Sequence, residues 1–143
     1  MIVKQVSAFI ENKQGRLSEA ADVLAANGID ISALSLADTA EYGILRMIVS
    51  DPQRAVIVLR EAGIISKITD ALAVAIDDIP GGFANALHGI TDAGIEVKYM
   101  YACVGRVASK ALMILSVDDP AAAEAVIAKT PAGEVHPAEI YRI

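Results

Sequence analysis

Tryptophan is absent from the 143 residues, and cysteine, histidine and phenylalanine nearly so, with one, two and two copies. The lone Cys103 can form no internal disulfide and offers no Cys-x-x-Cys pair for metal or redox chemistry, so it reads as a small buried hydrophobe. His88 and His136 are too few for a histidine metal cluster, and neither sits in a recognisable motif. No cofactor and no metal are expected. Aromatic residues make up 4% of the chain, which leaves little stacking surface for single-stranded nucleic acid. Basic residues are short too: 12 scattered Lys and Arg against 18 Asp and Glu give a net charge of −6, which argues against a phosphate-backbone partner. No apolar run approaches the roughly 18 residues of a membrane span, and Gln5 and Ser7 interrupt the stretch that a signal peptide keeps apolar. The expectation is a cytoplasmic protein with neither a membrane nor a nucleic-acid partner.

What the chain has in abundance is small and branched apolar side chains, with 55% hydrophobic residues overall, and it has them twice. At an offset of 66, Gly15, Leu17, Ala20, Gly28, Ile29, Asp30 and Ile31 meet Gly81, Phe83, Ala86, Gly94, Ile95, Glu96 and Val97. After a two-residue insertion the offset becomes 68, and Val49, Asp51, Pro52, Ala55 and Val58 meet Val117, Asp119, Pro120, Ala123 and Val126. Such self-similarity marks a repeated structural unit. The natural division is residues 1–69 and residues 70–143. Units of about 70 residues lie near the lower limit for independent stability, so a shared core or interface is expected.

Each copy reads strand, helix, strand, strand, helix, strand. In the first, β-branched Ile2 to Ile10 is a strand, and Leu17, Ala20, Ala21 and Leu24 mark a helix that Gly28 ends. Ile29 to Ala37 and Gly43 to Ser50 are strands joined around Asp38 to Tyr42. Asp51 and Pro52 open a helix that buries Ala55, Val58, Leu59 and Ala62, and a last strand lies within Ile64 to Thr69. The second copy gives a strand Ala71–Asp77, a helix Gly82–Ala93, strands Ile95–Val104 and Lys110–Val117, a helix Pro120–Lys129 and a final strand near Glu134–Arg142. This order is the split βαβ repeat of an α+β, ferredoxin-like unit: an antiparallel sheet with both helices on one face.

Two loops run from strand into helix, Glu11-Asn12-Lys13-Gln14-Gly15-Arg16-Leu17 and Asp77-Asp78-Ile79-Pro80-Gly81-Gly82-Phe83. A glycine at such an entrance lets backbone N–H groups approach a ligand, and the helix N-terminus favours a carboxylate. The simpler alternative is that Asn12 and Asp78 cap the helices and the glycines only serve the turn. Tyr99 and Tyr101 fall outside the apolar set Val97, Met100 and Ala102, which places them on the sheet face away from the helices. There they either cover the sheet or a subunit contact, or line a side-chain pocket. Ser35 occupies the position equivalent to Tyr101.

Asn12-Lys-Gln-Gly15-Arg-Leu17 with Gly28-Ile-Asp-Ile31, and Asp78-Ile-Pro-Gly81-Gly-Phe83 with Gly94-Ile-Glu-Val97, resemble the pattern of ACT domains. These are small ferredoxin-like regulatory modules that bind amino acids. The resemblance covers nearly the whole chain, with one module per copy, and is nearest to stand-alone tandem ACT proteins without a catalytic domain. It implies two modules packed side by side into a pseudo-dimeric sheet, a free amino acid as ligand, a homodimer, and an enzyme or regulator of amino-acid metabolism as partner in trans. It further implies that Asn12, Gly15, Arg16 and Leu17 of one copy work with Glu96 of the other, and Asp78, Gly81, Gly82 and Phe83 with Asp30. In this scheme the loop holds the ligand's carboxylate and the acid accepts from its ammonium. Gln14 stands where the family usually has a proline, and Asp78 would repel a carboxylate, so the Asn12 loop is the favoured site. Two other readings stand beside this one: a scaffold that uses its sheet edges without a small ligand, and a small enzyme, for which no convergent nucleophile and base are visible.

Overall fold

The computed structural model describes residues 1–38, 41–107, 110–130 and 135–141. In chain order the elements are β1 (Ile2–Glu11), α1 (Arg16–Ala26), β2 (Ile31–Asp38), β3 (Tyr42–Val49), α2 (Pro52–Glu61), β4 (Ser66–Asp77), α3 (Gly82–Asp92), β5 (Val97–Val107), β6 (Lys110–Val117), α4 (Pro120–Ile127) and α5 (Pro137–Tyr141). The chain divides into two compact units. An amino-terminal unit holds Lys4–Thr69 with Tyr141, and a carboxy-terminal unit holds Asp70–Ile140 with Met1–Val3.

In the amino-terminal unit β3 is central, antiparallel to β1 through Val6↔Met47 to Glu11↔Tyr42 and to β2 through Leu34↔Met47 to Asp38↔Gly43. Beyond β1, the Phe9 N–H donates to the Ile65 carbonyl at 2.8 Å. Alternation along the strands sends Val6, Ala8 and Ile10 of β1 and Leu45, Met47 and Val49 of β3 to one face. Ala20 and Leu24 of α1 and Ala55, Val58 and Leu59 of α2, spaced three and four apart, fill that face with their apolar stripes. Asp51 caps α2 by accepting from the Arg54 N–H at 3.0 Å, with Pro52 at the first helical position, as the sequence predicts.

The carboxy-terminal unit repeats the plan. Central β6 is antiparallel to β4 (Leu72↔Leu115 to Asp77↔Lys110) and to β5 (Met100↔Leu115, Tyr101↔Ile114). Leu72, Val74, Ile76, Leu115 and Val117 pack against Ile90 of α3 and Ala123 and Ile127 of α4. Asp119 caps α4 as Asp51 caps α2, accepting from the Ala122 N–H at 3.0 Å.

Two expectations are corrected. The strands expected within Ile64–Thr69 and at Ala71–Asp77 are one strand, β4. The last strand, expected near Glu134–Arg142, is a short helix, α5, over Pro137–Tyr141; Glu134 and Arg142 lie outside the described residues. Pro137 stands at the first helical position, and Glu139 accepts from the His136 N–H at 2.7 Å, half of a capping box that turns these residues into a helix. Strand pairing with β4 comes instead from the chain's opening residues: Ala73 donates to the Met1 carbonyl at 2.8 Å, and Glu124 of α4 accepts from the Ile2 N–H at 3.1 Å.

Candidate functional site: the strand-to-helix loops

β1 stops at Glu11 and α1 starts at Arg16, and Gly15 makes the turn between them with φ 87°. That left-handed conformation costs a residue with a Cβ about 1–2 kcal/mol, which explains the glycine. Gly81 repeats it at the head of α3, also at φ 87°. Gly15 and Gly81 are themselves the N-cap residues and bring no side-chain cap, and the Asn12 carboxamide is held by Asp38, so Asn12 does not cap α1, contrary to the simpler reading of that loop. Arg16 N–H donates back to Lys13 at 3.2 Å and Gly82 N–H to Ile79 at 3.0 Å. The next N–H groups, of Leu17 and Ser18 and of Phe83 and Ala84, open each helix with the partial positive charge of its dipole.

The two loops differ in their surroundings. The Asn12 carboxamide donates to Asp38 Oδ1 at 3.2 Å, and its backbone N–H donates to the Glu41 carbonyl at 2.9 Å. Register explains the meeting, because Glu11↔Tyr42 and Asp38↔Gly43 bring the end of β1, the end of β2 and the start of β3 to one end of the sheet. Next to them a cavity of 150 Å³ is lined by Ile10, Glu11, Asn12, Lys13, Leu17, Leu36, Asp38 and Gly43. A Cβ on Gly43 would lie 2.9 Å from Leu36 Cδ1, so the glycine lets Leu36 fold against the site. Lys13 Nζ and Glu11 Oε2 pair at 2.9 Å, and this hydrogen bond, reinforced by the lysine's charge, holds the Glu11 carboxyl below its ordinary value. Arg16 turns from the cavity to Glu19, at 2.6 Å.

At the second loop Asp77 pairs with Lys110 at 2.6 Å, and a Cβ on Gly82 would lie 2.1 Å from the Asp77 carbonyl oxygen. The strand end and helix head touch there, and only glycine fits. The adjoining cavity is smaller, 90 Å³, and is lined by Ile76, Asp77, Ile79, Gly82, Asn85, Ala86 and Thr130. Exposed Asp78 and Phe83 and the turn residue Gly81 are not among its walls.

Of the remaining predicted residues, Asp30 and Glu96 are exposed and stand just before β2 and β5 in matching ways. Asp30 N–H donates to Ser50 Oγ at 3.0 Å and Glu96 N–H to Asp118 Oδ1 at 3.1 Å. Tyr99 pairs with Ser116 and Tyr101 with Ile114, whereas Met100 pairs with Leu115 of the helix-side core. Both tyrosines therefore lie on the face away from the helices, and Tyr101 is buried. Neither lines the two loop cavities.

Within the amino-terminal unit the structure thus brings Asn12 and Leu17 together with Ile10, Lys13, Leu36 and Asp38, four residues that the sequence pattern did not single out. His88 and His136 are exposed and on different helices or their approaches. Among the described residues no group of three or more His, Cys, Asp or Glu is placed to hold a metal ion, and no helix is long and apolar enough to cross a membrane.

Each unit is a ferredoxin-like α+β module with a glycine-turned, uncapped helix entrance. The sequence matches the family described as "ACT domain pair" over residues 1–139, and the chain belongs to that family. The structure is similar to that of protein BT0572 from Bacteroides thetaiotaomicron, with a TM-score of 0.91 and 32% identity over 100% of this chain and 98% of that one. It shares its fold with the ligand-free regulatory subunit of aspartate kinase from Thermus thermophilus (TM-score 0.63, 15% identity, 90% of this chain and 93% of that one). The corresponding subunit from Thermus flavus gives 0.60 and 12% over 90% and 94%. No curated protein matches the sequence.

Proposed function

We propose that this chain is a non-catalytic regulatory protein of the cytoplasm that binds a free amino acid and passes that binding on, as a homodimer, to an enzyme or regulator of amino-acid metabolism in trans. ACT modules are amino-acid-binding regulatory modules, and membership of a paired-module family supports the reading. The observation that carries it is the entrance to α1: an uncapped helix start, turned by Gly15 and flanked by Asn12, opens beside a 150 Å³ cavity with both polar and apolar walls. The N–H groups there suit the carboxylate of an amino acid, and the cavity receives the rest of the molecule. Regulation then requires that occupancy change the affinity for a second partner, because allostery is a coupling between two sites.

Thermal unfolding in the presence of each of the twenty amino acids tests the binding. An amino acid at about 100 times its dissociation constant adds roughly 2.7 kcal/mol and raises the transition by several degrees. A scaffold without a small ligand gives twenty unchanged transitions.

A further inference from the structure

The two loops are not equivalent in charge, and the difference follows the repeat. Lys13 is matched by Ile79, Asn12 by Asp78 and Leu36 by Ala102, and Asp38, which pairs with Gly43, is matched by register with Arg106, which pairs with Ala111. The amino-terminal cavity thus has a cation and an amide on the β1 side and a carboxylate at the end of β2. Its counterpart has an exposed isoleucine, an aspartate and an arginine at those positions. Asn12 holds Asp38 through Oδ1, which leaves Oδ2 to accept from an incoming group. Between the two polar edges the walls are Ile10, Leu17 and Leu36.

An α-amino acid is a zwitterion with its ammonium one carbon away from its carboxylate, and a site for it needs both signs at short range, with a place for the side chain. Resting on the amino-acid-binding reading above, we propose that Asp38 receives the ligand's α-ammonium from within the same unit, that of the two loops, among the described residues, the amino-terminal one makes the complete amino-acid site, and that the side chain it takes is aliphatic. The acceptor named by family resemblance, Glu96, is then not required for the charge match. The carboxy-terminal loop lacks it on two counts: an arginine, not a carboxylate, stands at the register position of Asp38, and Asp78 repels a carboxylate. A charge-assisted hydrogen bond from ammonium to carboxylate is also stronger than one to a neutral acceptor.

Calorimetric titration of the full chain with L-leucine, L-isoleucine and L-valine, and with 4-methylpentanoate, which is leucine without its amino group, tests this. The expected result is one site per chain for at least one of the three amino acids, and 4-methylpentanoate binding at least about tenfold more weakly than leucine. In Asp38→Asn the carboxamide oxygen still accepts from Asn12, so the loop keeps its hydrogen bond and only the charge is lost. That variant is expected to bind the amino acid at least about tenfold more weakly while binding 4-methylpentanoate within twofold of the original protein. Two sites per chain, or an Asp38→Asn variant that binds the amino acid as well as the original protein, overturns the proposal and leaves amino-acid sensing intact. Binding confined to amino acids with charged side chains overturns the aliphatic assignment. If none of the twenty amino acids shifts the thermal transition, the underlying reading fails instead.

Discussion

The Asn12 carboxamide donates to the Asp38 carboxylate at 3.2 Å, although 26 residues separate them. It joins the end of the first strand to the end of the second across the start of the third. The pair is exposed, so its contribution to folding is small, and its position beside the loop cavity gives it a role in binding instead.

Asn12→Ala is accordingly expected to weaken amino-acid binding about tenfold while changing stability by less than about 0.5 kcal/mol. His88→Ala, on the exposed face of α3, is expected to change neither. Calorimetric titration and urea unfolding of both variants check this, and equal binding by the two would contradict the site.

Gly82→Ala is expected to cost more stability than Gly81→Ala. The first places a Cβ 2.1 Å from the Asp77 carbonyl and forces the turn apart. The second pays only for a left-handed alanine in open space, about 1–2 kcal/mol. Urea unfolding midpoints of the two single variants give the order.

Glu11 titrates below its ordinary value because Lys13 hydrogen-bonds its charged form. A depressed folded-state value means that the stabilisation is present above the unfolded-state value and is lost as pH falls through the folded-state one. Carboxyl-carbon NMR titration is expected to show Glu11 with a low midpoint that returns toward the ordinary carboxylate value in Lys13→Met. The lysine is largely in solvent and the glutamate is partly exposed, so added salt reduces the shift.

Glu124→Ala removes the acceptor for the Ile2 N–H and is expected to cost about 1 kcal/mol. Amide exchange of Ala73, whose N–H donates to Met1, is expected to speed up more than that of Leu115 in the core of the same unit. Exchange measured by NMR distinguishes local release of these residues from general loss of stability.

Much of this architecture was legible because it rests on local chemistry. The Asp51-Pro52 and Asp119-Pro120 pairs announce helix starts through capping and a fixed proline φ, and both helices begin there. Gly15 and Gly81 announce the turns that their positive φ values require. The helix over Pro137–Tyr141 was misread because Val135, Ile140 and Tyr141 favour strand. The competing signal, a proline at the first helical position and Glu139 reaching back to the His136 N–H, was present but short.

The candidate site was legible only in its sequence-local half. Asn12 and Leu17 lie on the loop that the glycine marks, whereas Asp38, Leu36 and Gly43 join them only through the pairing register of β1, β2 and β3. That register depends on which face of each strand meets the helices, a tertiary outcome that no spacing within the loop encodes. The replacement of Asp38 by Arg106 in the repeat follows from the strand pairing, and it acquires meaning once Asp38 is seen beside Asn12.

The most direct test of amino-acid binding at the α1 entrance is a proton–nitrogen correlation titration of the labelled full chain with the amino acid that most raises its thermal transition. The largest shifts are predicted at the backbone amides of Gly15, Arg16, Leu17 and Ser18 and at the Asn12 side-chain amide, with small ones at Gly81 and Phe83. Saturable shifts that leave the Asn12–Ser18 segment untouched, or a spectrum unchanged by every amino acid, would contradict it.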